Sequence, residues 1–158
     1  MPIGLFAVLD PSSPEPAPTP RPGGPEASLV QTFIVEDSPI ILERLVATLE
    51  EMACVRVVGH APDETAALLA LQRLPHPVDL VIVDLFLRSG SGLGILRGAG
   101  NRAATCVVLT NYATPDMRQA CLALGADRVF DKSKDLDELI LYCQALAQRG
   151  GEGAAAPA

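Results

Sequence analysis

The chain has 158 residues, of which 49% are hydrophobic, so it can bury the core of one domain but is too short for two. Its formal net charge is −7, and its twelve basic residues are scattered among nineteen acids instead of forming the cluster that phosphate binding requires. We therefore expect no nucleic-acid contact. No apolar stretch reaches the length of a membrane span and the N-terminus lacks a signal pattern, so we expect a cytoplasmic protein without membrane contact.

The two ends of the chain differ in composition from the middle. Residues 1–27 hold eight of the fourteen prolines, which can neither pair into a sheet nor continue a helix, and they predict a disordered or polyproline arm. Residues 150–158 are mostly glycine and alanine, which predicts a flexible tail. The folded unit is therefore expected over residues 28–149.

Within that unit, five strand-like segments alternate with five helix-like segments. The strands are expected near residues 31–35, 55–60, 79–84, 105–110 and 127–131. Five strand-helix units joined by right-handed crossovers predict an α/β fold with a doubly wound, five-stranded parallel sheet. The expected strand order is 2-1-3-4-5, in a flavodoxin-like three-layer α/β/α arrangement.

The helices carry recognisable start signals. Ser38-Pro39, Pro62-Asp63 and Thr114-Pro115 each predict a helix with proline in its first turn, where the missing amide costs nothing. The third helix is expected to be short and mobile, because the segment Gly90–Gly100 contains five glycines and each destabilises a helix interior.

Polar residues end four of the five apolar strands. Asp84 follows the most apolar run, and the carboxyl ends of parallel strands meet at one edge of the sheet, where α/β proteins place their chemistry. The pattern therefore brings together three acids, a hydroxyl and an ammonium: Glu36, Asp37, Asp84, Thr110 and Lys132.

Three neighbouring acids repel one another, and a divalent cation with oxygen ligands offsets that repulsion. Mg²⁺ suits such a site because it accepts one or two carboxylates and readily takes a phosphate oxygen. A carboxylate beside Mg²⁺ can act as a phosphoryl nucleophile, and Lys132 supplies a compact positive charge. The pattern thus predicts an aspartyl-phosphate site, with the hydroxyl of Thr110 donating to a phosphoryl oxygen.

This set of residues, in this order and each at a strand end, resembles the CheY-like receiver domain of two-component response regulators over residues 28–149. Because only a tail follows, we expect a stand-alone regulator. The resemblance implies roles for six residues: Asp84 as phosphoacceptor, Asp37 as direct Mg²⁺ ligand, Glu36 as ligand through water, the Phe86 carbonyl as a further ligand, Thr110 as switch hydroxyl and Lys132 as the contact to the phosphoryl group.

The resemblance also implies the reaction and the partners. A phosphoryl group would come from a sensor histidine kinase or a phosphotransfer protein, and the chain would catalyse only its own phosphorylation and slow autodephosphorylation. Phosphorylation would change a protein-binding face over residues 110–148, where a downstream protein target or a second copy of the chain would bind.

Several residues are expected to tune this response. Phe86 and Tyr112 flank the expected path of attacking water, and Asn111 replaces the small residue common after the switch hydroxyl. Val129 occupies the place of the usual switch aromatic. Phe130 follows it, and strand alternation predicts that its ring lies on the opposite face of the sheet. We expect Phe130, Tyr112 or the helix at 115–125 to move instead.

Other interpretations fit less well. A degenerate receiver acting only as a binding module would lack Asp84, the acid pair or Lys132, and all are present. A Mg²⁺-dependent aspartyl-phosphate phosphatase would need a second aspartate at the position of Phe86. The segment Gly90–Gly94 lacks the context of a dinucleotide-binding loop, because an acid should end the next strand, where the chain has Thr110. The four cysteines are expected to be buried small hydrophobes.

Overall fold

The computed structural model describes residues 29–155. The predicted Pro-rich arm at residues 1–27 lies outside the described residues, as do residues 156–158. None of the helices within 29–155 is both long and apolar enough to cross a bilayer.

Five strands and five helices alternate along the described chain, as the sequence predicts. The strands are β1 (Val30–Val35), β2 (Val55–Ala61), β3 (Val78–Val83), β4 (Ala103–Thr110) and β5 (Arg128–Asp131). The helices are α1 (Pro39–Met52), α2 (Glu64–Arg73), α3 (Gly92–Gly98), α4 (Pro115–Ala123) and α5 (Leu136–Ala155), with a short 3-10 helix at Gly100–Arg102.

All the strand pairs are parallel, and the sheet order is β2-β1-β3-β4-β5. The predicted doubly wound fold is therefore confirmed. Val35 of β1 pairs with Val83 of β3, so the residues that follow these two strands lie side by side at the carboxyl edge. Thr110 pairs with Asp131, which places Lys132 next to the end of β4.

The central strand β3 is buried on both faces. Leu80 and Ile82 pack with residues of α1 and α5, whereas Val81 and Val83 pack with residues of α2 and α3. A third cluster joins α3 and α4 to the sheet. Helices thus cover both faces of the sheet, which explains why the sequence of β3 is a continuous apolar run instead of an alternating one.

The cysteines belong to this core. Cys54, Cys121 and Cys143 are buried, and Cys106 is partly buried. Burial raises the pKa of the Cys143 thiol to about 12. Burial and the nearby charge of Asp127 raise the pKa of the Cys106 thiol to about 11. Protonated buried thiols behave as small hydrophobes, in agreement with the sequence prediction.

Two of the three predicted helix starts are confirmed. The Ser38 hydroxyl accepts from the Ile41 amide at 3.3 Å and the Thr114 hydroxyl from the Met117 amide at 3.2 Å, with proline next in each helix. At α2 the prediction is wrong, because Pro62 lies before the helix. The Asp63 carboxylate caps α2 by accepting from the Ala66 amide at 2.9 Å, which is a preferred role for aspartate.

The length of α3 agrees with the sequence prediction, whereas the length of α5 does not. Helix α3 has only seven residues, which agrees with the short helix predicted from its glycines. Helix α5 continues to Ala155 and so includes residues 150–155, for which the sequence predicts a flexible tail. Extending a helix that has already formed needs no new nucleation, although three of these six residues are glycines, which disfavour a helix.

Candidate functional site

The three predicted acids meet at the carboxyl edge of the sheet. Glu36 and Asp37 follow β1 and Asp84 follows β3, and each offers a carboxylate oxygen within 4.8 Å of the other two. Glu36 is 4% exposed and Asp84 is 8% exposed. This cluster lies between β1 and β3, where the order of strands in the sheet changes direction. Sites in this class of fold usually lie at such a point. Its all-oxygen donor set fits a hard divalent cation such as Mg²⁺.

Lys132 joins two of these acids. Its Nζ atom lies 2.8 Å from Glu36 Oε1 and 2.9 Å from Asp84 Oδ2, and its side chain is only 12% exposed. Burial lowers the pKa of Lys132, but the hydrogen bonds and charges of Glu36 and Asp84 together outweigh it and raise the pKa above its usual value. The lysine is therefore a fixed positive charge beside the acid cluster.

Asp37 has a different partner. Its Oδ2 atom accepts a hydrogen bond from the Arg88 amide at 2.9 Å, and the Arg88 guanidinium lies 4.0 Å away on an exposed side chain. Such an exposed ion pair contributes little, so the amide contact is the important one. Asp37 thereby holds the loop that follows Asp84 against the end of β1.

The two oxygens of Asp84 are held by different groups. Oδ2 accepts from Lys132, whereas Oδ1 accepts from the Phe86 amide at 3.3 Å. Both contacts orient the carboxylate, and the Phe86 amide lies in the same loop that Asp37 holds.

Thr110 connects the end of β4 to the lysine turn. It is fully buried, and its carbonyl accepts from the Lys132 amide at 2.9 Å. Its Oγ1 atom accepts from the Tyr112 amide at 3.2 Å, which leaves the hydroxyl hydrogen available to donate to another group.

Two exposed aromatic rings stand beside these residues. Phe86 is 51% exposed and Tyr112 is 59% exposed, and each follows a site residue by two positions. The rings make an edge-to-face contact with centroids 4.9 Å apart and planes at 69°. The contact links the loop after β3 to the loop after β4. Asn111 lies beside Tyr112 and is exposed.

Hydrogen bonds shape the turn that carries Lys132. The Asp131 carboxylate accepts from both the amide and the hydroxyl of Ser133, at 2.8 and 2.6 Å, and these bonds lower the pKa of Asp131. Asp135 accepts from the Asp131 amide at 2.9 Å and donates its own amide to the Asp131 carbonyl at 2.8 Å. This network orders the turn in which Ser133 follows the lysine.

Phe130 and Val129 lie on opposite faces of the sheet, as strand alternation predicts. Phe130 is buried in the cluster with α1 and α5, and its ring contacts Tyr142 with centroids 5.8 Å apart. Val129 packs in the cluster that includes α3 and α4. The close packing around the Phe130 ring opposes a large rotation.

Sequence reasoning missed Arg118, which joins three segments around α4. Its guanidinium donates to the carbonyls of Ala113 at 3.1 Å and Val129 at 2.9 Å, and it lies 3.6 Å from the Asp135 carboxylate. No local pattern identifies this arginine, because its partners come from elements that meet only in the folded chain.

Comparison with known proteins identifies the family. Residues 32–144 match the response regulator receiver domain, and the chain belongs to this family. It is a receiver domain of two-component response regulators with a CheY-like fold, as the sequence analysis predicts.

Two relatives and one solved structure illustrate the similarity. A probable transcriptional regulatory protein of Picosynechococcus sp. is 34% identical over 74% of this chain and 49% of its own length. The nitrate/nitrite response regulator protein NarP of Escherichia coli is 30% identical over 78% of this chain and 58% of its own. RcsB of Salmonella enterica serovar Typhimurium, bound to promoter rprA in the presence of phosphomimetic BeF3−, is 26% identical, with a TM-score of 0.64 over 75% of this chain and 98% of that one.

The expectation that nucleic acid plays no part is wrong. The Picosynechococcus relative is named as a transcriptional regulatory protein, and the RcsB structure is bound to a promoter. The sequence argument relied on the net charge of this chain, and charge reports only on contacts that its own surface would make. The chain spans about half the length of the curated relatives it matches.

Proposed function

We propose that Asp84 accepts a phosphoryl group in a two-component phosphorelay. The donor is a phosphohistidine on a sensor histidine kinase or a phosphotransfer protein. The observation that carries the proposal is the position of Lys132, whose ammonium bridges Asp84 and Glu36 beside Asp37. A buried lysine paired with two acids is a costly arrangement for stability alone, whereas it suits a carboxylate that gains a phosphoryl group.

The chemistry assigned to the chain is a single phosphoryl transfer. A carboxylate oxygen of Asp84 forms a bond to phosphorus while the bond between phosphorus and the donor's imidazole nitrogen breaks, and that nitrogen keeps the electron pair. The Lys132 ammonium offsets the charge on the phosphoryl oxygens, and the free hydroxyl hydrogen of Thr110 donates to one of them.

Mg²⁺ is the cofactor that we propose for this site. Asp37, Asp84 and the Phe86 carbonyl would hold the ion, with Glu36 acting through water, and the bound ion would neutralise charge on the transferred group. Asp37 accepts from the Arg88 amide through Oδ2, and its second carboxylate oxygen would serve as the ligand.

The two aromatic rings are assigned to the lifetime of the phosphorylated state. Phe86 and Tyr112 contact each other across the loops that follow β3 and β4. Placed there, they hinder the approach of water to the phosphorus and so slow autodephosphorylation. We propose no other catalytic activity for the chain.

We further propose that phosphorylation of this domain controls transcription in the cytoplasm through a DNA-binding protein or domain. Two relatives are named as probable transcriptional regulatory proteins and RcsB is bound to a promoter, which supports a transcriptional output. The free thiols of Cys106, Cys121 and Cys143 suit a reducing compartment. The conformational signal would pass from Thr110 through the Lys132 turn and the Arg118 contacts to α4, β5 and α5.

Labelling with a small phosphodonor tests the proposed reaction. The purified chain is incubated with acetyl phosphate and Mg²⁺, and its intact mass is measured over time, with a parallel sample containing a chelator. We expect the mass of one phosphoryl group to appear only in the sample with Mg²⁺. Equal labelling in both samples would contradict the proposed role of the cation, and no labelling in either would contradict the proposed function.

A further inference from the structure

The glycine-rich segment Gly90–Gly94 encloses one side chain, that of Glu64 at the start of α2. Glu64 Oε1 accepts a hydrogen bond from the Ser91 amide at 2.9 Å, and the Glu64 amide donates to the Ser89 carbonyl at 3.4 Å. The Ser91 amide in the middle of this segment is therefore already occupied by a protein carboxylate. The segment wraps around a carboxylate from the neighbouring helix.

The glycines make this close approach possible. A Cβ atom at Gly90, where φ is +80°, would lie 2.5 Å from Glu64 Cβ, and one at Gly94 would collide with the Glu64 carboxylate. Both positions thus lack a side chain because Glu64 occupies the space. The cap of α2 does not explain Glu64, since Asp63 already accepts from the Ala66 amide.

The segment held by Glu64 continues into the loop that faces the acid cluster. Ser91 lies opposite Phe86 in an isolated antiparallel bridge, and the Gly92 amide donates to the Leu85 carbonyl at 3.1 Å. On its other side the loop is held by Asp37, through the Arg88 amide. Glu64 and Asp37 are thus two anchors on opposite sides of one loop.

The two anchors differ in their relation to the acid cluster. Asp37 is a proposed ligand as well as an anchor, because its Oδ2 atom accepts from the Arg88 amide and its second oxygen can serve a cation. Glu64 is not a member of the acid cluster, and its carboxylate holds the loop through the Ser91 amide without being a proposed ligand.

From these contacts we infer that Glu64 is a positioning residue for the proposed cation and phosphoryl site. It holds the loop from the side opposite Asp37, so that the Phe86 carbonyl stays available as a ligand. The inference rests on the proposed function. It assigns the Gly90–Gly94 segment and α2 to the reaction, although neither contributes a ligand.

Two substitutions separate position from charge. Glu64→Gln keeps an acceptor oxygen for the Ser91 amide but loses the charge, whereas Glu64→Asp keeps the charge but is one methylene too short to reach. Glu50→Ala is the matched control, because the Glu50 carboxylate also accepts a backbone amide, that of Val57, at 2.9 Å, away from the acid cluster.

The measurement is Mg²⁺ affinity by isothermal titration calorimetry without any phosphodonor, together with the rate of labelling by acetyl phosphate. We expect Glu64→Asp to weaken Mg²⁺ binding about tenfold, as lost support of a metal ligand commonly does, and to slow labelling in parallel. Glu64→Gln and Glu50→Ala are expected to retain the wild-type affinity.

Each other outcome overturns the inference. If Glu64→Asp binds Mg²⁺ as the wild type does, the carboxylate does not position the loop. If Glu64→Gln loses Mg²⁺ affinity while Glu64→Asp keeps it, Glu64 acts on the cation through its charge and not by positioning the loop. A wild-type chain that neither binds Mg²⁺ nor becomes labelled would remove the proposed function and this inference with it, whereas binding and labelling that survive in every variant would remove the inference alone.

Discussion

Lys132 Nζ lies 2.9 Å from Asp84 Oδ2, although the two residues are 48 positions apart in the chain. The same nitrogen lies 2.8 Å from Glu36 Oε1. One ammonium therefore partly compensates the charge of a cluster of three carboxylates. The stability of the domain at this edge therefore depends on which positive charges lie beside the carboxylates.

Replacing Lys132 should destabilise the domain in a way that Mg²⁺ reverses. Lys132→Met leaves Glu36 and Asp84 buried without their counter-charge, and breaking such a pair on one side costs about 3 kcal/mol. We expect a lower Tm for the variant without metal and a larger rise of Tm on adding Mg²⁺ than in the wild type. Lys134→Met is the matched control. An unchanged Tm in Lys132→Met without metal would show that the ammonium does not compensate the charge of these carboxylates.

The stabilisation from Lys132 should persist until strongly alkaline pH. Its pKa in the folded chain is raised above the usual value of 10.5, so its contribution is fully present below 10.5 and is lost as pH rises through the higher folded value. The difference in free energy of unfolding between wild type and Lys132→Met should therefore be constant from neutral pH to about 10 and shrink above 10.5. Chemical denaturation of both proteins across this range measures it. A difference that shrinks between pH 6 and 9 would rule out the raised pKa.

Removing Asp37 should separate cation binding from folding. Asp37→Ala deletes a proposed ligand and relieves repulsion among the acids, while Lys132 keeps its contacts to the other two. We expect Mg²⁺ affinity to fall at least about tenfold, with little change in Tm without metal. Calorimetric titration and thermal melts provide the two values. A clear loss of Tm without metal would contradict this, because it would mean that the lost bond from Asp37 to the Arg88 amide outweighs the repulsion that the substitution removes.

The strand ends can be predicted because the signal for each lies in a few consecutive residues. An apolar run followed directly by Glu36, Asp84 or Thr110 identifies both the strand and its carboxyl edge, and parallel order then brings these residues together. The position of Lys132 at the same edge is predicted in the same way, because it directly follows β5. The prediction needs no side-chain geometry, since the backbone alone places these residues within reach.

Glu64 and Arg118 could not be found in this way. Glu64 contacts Ser91 across 27 positions, and Arg118 reaches Val129 and Asp135 from another element, so neither contact leaves a periodic or motif signal. The sequence prediction puts Pro62 in the first turn of α2. Asp63 is a preferred N-cap residue, so the helix begins after it and Pro62 lies outside.

The contact between Phe86 and Tyr112 should lengthen the life of the phosphorylated state. In the double variant Phe86→Ala and Tyr112→Ala, the edge-to-face pair is absent and water approaches the phosphorus more freely. We expect faster loss of the phosphoryl group, followed by intact mass after the donor is removed. Leu141→Ala, which truncates another exposed apolar side chain, should decay at the wild-type rate. Equal decay in the wild type and the double variant would refute the role given to the rings.

The most direct test of the account is whether Asp84 is the residue that becomes phosphorylated. Wild type, Asp84→Asn and Asp116→Asn are each incubated with acetyl phosphate and Mg²⁺, and intact mass is recorded; Asp116 is exposed on α4 and controls for the chemical change. An amide is a far weaker nucleophile and ligand than a carboxylate, so Asp84→Asn should acquire no phosphoryl group while the other two proteins acquire one. Undiminished labelling of Asp84→Asn would contradict the assignment of the phosphoacceptor.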